Sequence, residues 1–314
     1  MTSRELRLVL LGAPGIGGEA FERWHDDVVD GAHELGWKVD FLRVRDVPAE
    51  DIERAAKGAD MLLWLRTHSH NLVGDGYSML RRIEAAGTVT VGLHLDLYWG
   101  IPARERRVGN EPWWTAQHVF TADGGNQAKF TARGVNHHWC PPPFGTRFLG
   151  YGTPDPTVRA RAVFVGGYVR SIHGDHRAQL LAWGRRKWGR DFLHIGSTSR
   201  TRLYHRKLNN LYASVDVVLG DSAPAPHYWS DRVPRTLGRG GLFAYPRTPG
   251  LEEQGFTDDV MILYDRGRYA QIGAQLAGMD AAARRRMTDA AITLVSERHL
   301  WRHRLAEIAR TVLP

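Results

Sequence analysis

The residues best suited to hold a charged ligand fall in one stretch of the chain, residues 229–265. Ser230 is a plausible helix cap, and Arg232 follows it at the start of a short helix predicted over residues 232–237. A guanidinium and the unpaired N–H groups of a helix start can together hold a diphosphate. We therefore expect an anion site here, to which the same stretch also contributes Arg235, Gly240, Gly241, Leu251 and Glu252.

Each of these residues also has a purely structural interpretation. Arg232 could form a salt bridge with Asp231 or Glu252, and the pair Gly240-Gly241 could serve only to end the helix. The carboxylate of Glu252 could cap a helix start. The sequence leaves both interpretations open.

Two apolar runs of strand length, residues 242–245 and 260–264, lie within this stretch. The first is stopped by Pro246, residues 247–250 read as a loop, and residues 251–254 read as a helix start. This order of elements is typical of one end of a parallel α/β sheet. Ligands of such sheets bind at the carboxyl ends of the strands, so the elements and the candidate residues agree.

The order S-x-R, helix, glycine pair, short strand, G-L-E and a strand ending in Y-D resembles the CgeB/YkvP-type (spore maturation protein-like) glycosyltransferases. Residues 298–304 look like the terminal helix of that family, so the resemblance covers roughly the last third of the chain. It implies the GT-B fold, with two Rossmann-like α/β domains that face each other across a cleft and a C-terminal helix that crosses back to the N-terminal domain. It also implies sugar transfer from a nucleotide sugar, UDP-linked, to an acceptor hydroxyl, without a metal or other cofactor.

The same resemblance assigns the donor to the C-terminal domain, around residues 230–252. There Arg232 would stabilise the charge that develops on the leaving nucleoside diphosphate. Gly166 and Tyr168, which follow another predicted strand, would flank the donor, whereas Tyr168 could equally be a half-exposed aromatic residue without a ligand. The family usually has a glutamate for the ribose hydroxyls where this chain has Arg235, and a cation cannot accept those hydrogen bonds. This departure leaves open an inactive GT-B-like protein that only binds a nucleotide or a partner.

An apolar strand followed by a glycine-rich turn occurs twice, at residues 6–18 and 163–167. Between them, residues 140–156 are rich in proline and glycine, which is typical of a connection between domains. Residues 280–312 are strongly helical, with a bend expected at 296–299. These patterns predict domains over residues 1–150 and 151–290 and a terminal helix over 291–314. The resemblance implies that the first is the acceptor domain, that the second is the donor domain and that the helix packs on the acceptor domain.

An attacking hydroxyl needs a nearby group to accept its proton, and strand ends in the N-terminal half offer several. Asp96 follows a strand predicted at residues 88–95 and is the first candidate for this base. His94 lies two residues earlier, on the same face of an extended chain. A lone aspartate at a strand end more often caps a turn, so that interpretation also stays open.

Other residues are expected on the acceptor side. Gly15 and Gly17 lie in the first glycine-rich turn, and His68 and His70 follow the third predicted strand and are alternative bases. Trp99 could stack on an acceptor or could be a core residue. The glycine spacing matches a dinucleotide fingerprint only loosely, because the acidic residue expected after the second strand is missing, so we expect no nicotinamide cofactor.

The composition limits the partners. The chain has 314 residues, a net charge of +8, 37 arginines and five lysines, without a run of five basic residues. This charge fits either an arginine-rich surface without a ligand or attraction to a polyanion, namely nucleic acid or a phosphorylated donor. The open acceptors are a hydroxylated DNA base, a protein or a glycan, and a nucleic-acid partner is an alternative. A two-Rossmann epimerase with similar donor contacts is a further alternative.

Cys140 is the single cysteine, which excludes an intramolecular disulfide and a thiolate metal cluster. His68/His70, His94/Asp96 and His137/His138 are not accompanied by a recognised zinc motif, so we expect no metal. No apolar run reaches the roughly 20 residues of a membrane span. We expect a cytoplasmic protein.

Overall fold

The computed structural model describes residues 5–12, 24–44, 47–65, 72–196 and 205–314. The chain divides into two compact units. The first unit comprises Met1–Pro141 and Leu300–Pro314, and the second comprises Pro142–His299. The division after Pro141 lies nine residues earlier than the boundary expected at residue 150, at the start of the proline run.

The first unit is built on a parallel sheet. Its described strands are β1 (Arg7–Gly12), β2 (Lys38–Arg43), β3 (Met61–Leu65), β4 (Val89–His94), β5 (His118–Thr121) and β6 (His137–Trp139). Their order in the sheet is β2-β1-β3-β4-β5-β6, and every pair is parallel. The central strands are continuous apolar runs because helices cover both faces of such a sheet.

Five helices among the described residues also belong to this unit. They are α1 (Trp24–Glu34), α2 (Ala49–Ala56), α3 (Gly76–Ala85), α4 (Pro102–Glu105) and α5 (Gln127–Thr131), and a 3₁₀ turn spans Pro112–Thr115. The unit ends with the last helix of the chain, α12 (Trp301–Val312).

Helix α12 packs closely on α1. A methyl group at Gly31 would lie only 2.8 Å from the Cβ of Trp301, so the absence of a side chain lets the two helices meet. Arg302 forms a salt bridge of 2.8 Å with Glu34, and the buried Arg304 donates to the carbonyl of Pro141 at 2.9 Å. The terminal helix is therefore part of the first unit, as the fold class predicted from the sequence requires.

The second unit has its own parallel sheet. The strands are β7 (Ala162–Val165), β8 (Phe192–Ile195), β9 (Val217–Leu219), β10 (Phe243–Pro246) and β11 (Ile262–Tyr264). Their order is β11-β10-β9-β7-β8, again with parallel pairs. Two parallel-sheet α/β domains confirm the predicted fold class.

Helices surround this second sheet. They are α6 (Arg170–His173), α7 (His176–Trp188), α8 (Arg206–Ala213), α9 (Arg232–Leu237), α10 (Ala270–Ala277) and α11 (Ala281–Arg298). None of the helices in the described residues has the length and hydropathy needed to cross a bilayer.

The long helical segment at the end of the chain is interrupted where a bend was predicted. Helix α11 ends at Arg298, and α12 begins at Trp301. His299 lies in the break, is buried, and makes a hydrogen bond of 2.9 Å with the carbonyl of Gln254. Because α11 belongs to the second unit, the terminal segment of the first unit starts at Leu300 rather than at residue 291.

Candidate functional site

Arg232, the first residue of α9, is placed against the loop that follows β7. Gly166 begins that loop with a φ of +150°, and a methyl group there would lie 2.5 Å from Nη2 of Arg232. The guanidinium also lies 5.9 Å from the ring of Phe164, at the end of the same strand. Two residues predicted for the donor site, Gly166 and Arg232, are therefore in contact within one unit.

A buried carboxylate lies beside them. Asp221 follows the last residue of β9 by two positions, and its side chain is only 2% exposed. It forms salt bridges with Arg266 at 2.5 Å and with Arg177 at 3.8 Å. Asp221, Arg177 and Arg266 were not among the residues selected from the sequence, although an aspartate directly after an apolar strand and Gly220 is a recognisable signal.

The three arginines are also anchored to backbone carbonyls of the strand-end loops. Arg177 donates to the carbonyls of Gly167 at 2.7 Å and of Asp221 at 2.8 Å. Arg266 donates to the carbonyl of Ser222 at 3.1 Å, and Arg232 reaches the carbonyl of Asp221 at 3.4 Å. We call Arg177, Arg232 and Arg266 the arginine cluster. It lies at the carboxyl ends of β7, β9 and β11.

The arginine cluster carries more positive charge than its carboxylate balances. Burial raises the pKa of Asp221, while Arg266 and Arg177 act against that shift. Burial and the neighbouring Arg232 lower the pKa of Arg177 to about 10, so it stays charged at neutral pH. Arg232 is partly exposed and has no carboxylate partner among the described residues. An anion that approaches Arg232 therefore meets an excess of positive charge.

The start of α9 contributes less to an anion site than the sequence led us to expect. Helix α9 has only six residues, and the N–H of Arg232 already donates to Oγ of Ser230 at 3.3 Å. Ser230 in turn donates to the carboxylate of Asp231 at 3.0 Å. A short helix has a weak dipole, so the guanidinium groups, rather than the free amides, make this place suitable for an anion.

Arg235 is engaged within its own helix. Its guanidinium forms a salt bridge of 2.8 Å with Asp231, one turn earlier, and both side chains are about a quarter exposed. Burial and the nearby Arg239 lower the pKa of Arg235 below its usual value. The ion pair with Asp231 expected as an alternative for Arg232 is thus made by Arg235.

Three of the residues predicted for the donor site have packing roles. A methyl group at Gly240, where φ is +71°, would lie 2.4 Å from the ring of Tyr151. One at Gly241 would lie 2.9 Å from the methyl group of Thr236. Leu251 is completely buried. These contacts fit the structural interpretation of the three positions, and their contact with a donor stays a prediction.

Glu252 and Tyr168 lie in loops at the carboxyl edge of the second sheet and are exposed. Residues Glu252–Gln254 form a single 3₁₀ turn rather than the start of an α-helix. Glu252 pairs with Arg247 at 2.7 Å and not with Arg232. Tyr168 is 39% exposed and lies near the ring of His173. Both side chains remain candidates for contact with a ligand.

In the first unit, Asp96 and His94 lie at the carboxyl end of β4 as predicted, but their surroundings differ. The carboxylate of Asp96 is 20% exposed and forms a salt bridge of 2.5 Å with Arg104. His94 is buried and hydrogen-bonds to the hydroxyl of Tyr98. Asp96 is therefore the better placed of the two to meet a substrate.

Trp99 belongs to the hydrophobic core of the first unit. It is 9% exposed, and Lys129 and Arg133 lie over its ring at 5.4 and 5.5 Å. The backbone N–H groups of Trp99 and Tyr98 donate to the buried Asp123, which fixes this loop. The ring is covered by protein, which favours the core role over stacking on an acceptor, the two interpretations that the sequence left open.

Gly15, Gly17, His68 and His70 lie outside the described residues. His137 and His138, considered as metal ligands, instead form strand β6, where His137 stacks on Phe130 with the ring centroids 3.9 Å apart. The described ranges contain no group of three or more His, Cys, Asp or Glu side chains placed to hold a metal ion.

Residues 162–310 match the family model described as "Glycosyl transferase-like". No curated protein sequence matches the chain.

Solved structures resemble the chain over 98% of its length. One is Alr3699/HepE from Anabaena in complex with UDP and glucose, at 12% identity and a TM-score of 0.60 over 99% of that chain. An α,α-trehalose-phosphate synthase (UDP-forming) from Burkholderia vietnamiensis has 11% identity and a TM-score of 0.62 over 98% of its chain. AviGT4, a glycosyltransferase involved in avilamycin A biosynthesis, has 17% identity and a TM-score of 0.56 over 98% of its chain. These structural similarities establish the fold of the chain. Residues 162–310 thus resemble glycosyl transferase-like proteins, and the two parallel-sheet α/β domains have the fold of GT-B glycosyltransferase structures.

Proposed function

We propose that this enzyme transfers a sugar from a UDP-linked donor to an acceptor hydroxyl, without a metal ion, and that the second unit binds the donor. The observation that carries this proposal is the position of Arg232, which contacts Gly166 at the strand ends and has no carboxylate partner in the described part of the chain. The two similar structures that contain UDP or are named as UDP-forming support the choice of donor.

The chemistry of the donor explains why charge is needed at this place. When the bond between the sugar and the diphosphate breaks, negative charge develops on the leaving diphosphate. Arg232 can donate two hydrogen bonds to phosphate oxygens, and Arg177 and Arg266 raise the potential behind it. Fixed cations can replace a divalent ion in this role, which supports metal-independent transfer.

The proton of the acceptor hydroxyl needs a base. We propose Asp96, whose carboxylate is partly exposed and is held in one orientation by Arg104. His94 is a weaker candidate because it is buried against Tyr98. The simplest mechanism is direct attack by the hydroxyl on the sugar, with the diphosphate leaving.

The acceptor stays open among a hydroxylated DNA base, a protein and a glycan. The net charge of +8 favours an anionic partner, so nucleic acid belongs in the acceptor panel. Binding to duplex DNA that falls steeply with increasing salt would support this acceptor class. An affinity for duplex DNA that does not depend on salt would exclude nucleic acid as the acceptor.

A second candidate is a protein that binds the nucleotide without catalysis. It is favoured by Arg235, which stands where the related family has a glutamate and pairs with Asp231 inside its own helix. Turnover separates the two candidates, because both predict binding of a nucleoside diphosphate.

The test is release of nucleoside diphosphate from a panel of nucleotide sugars by the purified protein, with and without EDTA. We expect release from at least one UDP-sugar, unaffected by EDTA, and much slower release by Arg232→Gln. Arg190→Gln is a matched control, because this exposed arginine lies two residues before β8, at the amino ends of the strands of the same sheet. Binding of UDP without turnover of any donor would favour the second candidate.

A further inference from the structure

The carboxylate of Asp221 has an unusual position for a group in an anion site. One of its oxygens pairs with Arg266, while the other, Oδ2, lies 3.8 Å from Nε of Arg177. Among the described residues, neither Oδ2 of Asp221 nor Nε of Arg177 has a hydrogen-bond partner, and both side chains are at least 98% buried. Burial of an ion pair with unsatisfied atoms costs stability, so this arrangement is not optimised for folding alone.

Asp221 is also directly connected to the residue proposed to hold the diphosphate. Its backbone carbonyl accepts hydrogen bonds from both Arg177 and Arg232. Its carboxylate therefore lies close to two of the three arginines, Arg177 and Arg232. An anion bound to Arg232 lies within the range of this negative charge and is repelled by it.

We propose that Asp221 is a positioning and charge-setting residue. It holds Arg177 and Arg266 in place while it limits the positive charge of the arginine cluster, so that a leaving nucleoside diphosphate is stabilised but still released. The inference rests on the proposed function, since it assigns a role within the donor site of that reaction. It makes a prediction of unusual sign: removal of a charged residue from the site strengthens ligand binding.

Asp221→Asn keeps the shape of the side chain and removes its charge. We expect UDP to bind this variant on the order of tenfold more tightly, the effect of one unit charge at roughly 10 Å in a partly solvated site. Uridine, which has no phosphate, should bind both proteins equally. A residue with a merely structural role would give weaker UDP binding when replaced.

The chain offers a matched control at the other end of the same strand. Asp216 immediately precedes β9 and also pairs with two arginines, Arg161 at 2.8 Å and Arg284 at 3.1 Å. Asp216→Asn removes the same charge at the amino edge of the sheet. Its affinity for UDP should stay within about twofold of the wild type, since the charge removed is farther from the carboxyl ends of the strands.

The experiment is calorimetric titration of the full-length wild type and variants with UDP, uridine and inorganic pyrophosphate, with circular dichroism as a check of folding. UDP binding to Asp221→Asn that equals or falls below that of the wild type overturns the inference and leaves the proposed function intact. A wild type that binds neither UDP nor pyrophosphate contradicts the proposed function itself.

A second variant keeps the test decisive if Asp221→Asn does not fold. The double variant Asp221→Asn/Arg266→Gln removes a carboxylate and its cation together, so the net charge of the site is unchanged. We expect it to bind UDP on the order of tenfold more tightly than the single variant Arg266→Gln, because the same carboxylate charge is removed from both backgrounds. UDP binding by the folded double variant that equals or falls below that of Arg266→Gln overturns the inference.

Discussion

Replacement of Gly166 with alanine should move Arg232 away from the position proposed for the diphosphate. The added methyl group would lie 2.5 Å from Nη2 and 2.7 Å from Cζ of the guanidinium, closer than any stable contact. The guanidinium is the far end of a flexible side chain, so it can shift where a backbone atom could not. The fold should therefore survive, and the effect should concentrate on the ligand.

The size of each effect follows from the structure. Gly166 has a φ of +150°, which an alanine adopts at a cost of about 1–3 kcal/mol. We expect a corresponding fall in Tm of roughly 2–12 °C for a domain of this size. Loss of a charged hydrogen bond to the diphosphate costs about 1.5–3 kcal/mol, so kcat/KM should fall by roughly 10- to 100-fold.

The assay is release of UDP from the best donor, measured beside thermal unfolding. Gly189→Ala is the matched control, because Gly189 also has a positive φ, of +54°, but nothing lies within 4 Å of the added methyl group. It should lose stability and keep its kcat/KM. Equal activity of folded Gly166→Ala and Gly189→Ala would refute the placement of Arg232 at the reacting diphosphate.

Three further predictions test other parts of the account. Asp96→Asn should reduce turnover by roughly 10²- to 10⁴-fold while calorimetry shows unchanged UDP affinity, and an unchanged turnover would exclude Asp96 as the base. Gly31→Ala should destabilise the protein by about 1–3 kcal/mol in urea unfolding, because its methyl group would lie 2.8 Å from Trp301, whereas Gly273→Ala should not destabilise it. Burial lowers the pKa of His137 to about 3, so the unfolded chain takes up a proton below about pH 6.5 that the folded chain does not. The free energy of unfolding should therefore fall as the pH falls through this window. Between pH 6 and pH 5 it should fall by roughly 1 kcal/mol more for the wild type than for His137→Gln, as measured by urea unfolding at each pH.

The fold could be predicted from the sequence because its signals are local. Apolar runs predicted as buried strands at residues 59–65 and 242–245 correspond to strands at Met61–Leu65 and Phe243–Pro246 in the structure. The break in the last helix was predicted at residues 296–299 and lies between Arg298 and Trp301. Strand β6 was missed, because His137 and His138 have a polar pattern, and burial against Phe130 makes it a strand.

The candidate site was only partly predictable, because its charges come from distant parts of the chain. Arg232 was selected from its neighbours in the sequence. Arg177 and Arg266, however, are 44 and 45 residues away from their partner Asp221. Only the topology of the second sheet brings these strand-end loops together. The same limitation applies to Gly240, because its packing partner Tyr151 lies far from it in the sequence.

The central claim is that Arg232 binds a nucleoside diphosphate at the strand ends of the second unit. Its most direct test is calorimetric titration of UDP into the wild type, Arg232→Gln and the control Arg190→Gln. We predict that Arg232→Gln binds UDP at least tenfold more weakly and that Arg190→Gln binds it like the wild type. Equal affinities of the folded Arg232→Gln variant and the wild type would contradict the claim.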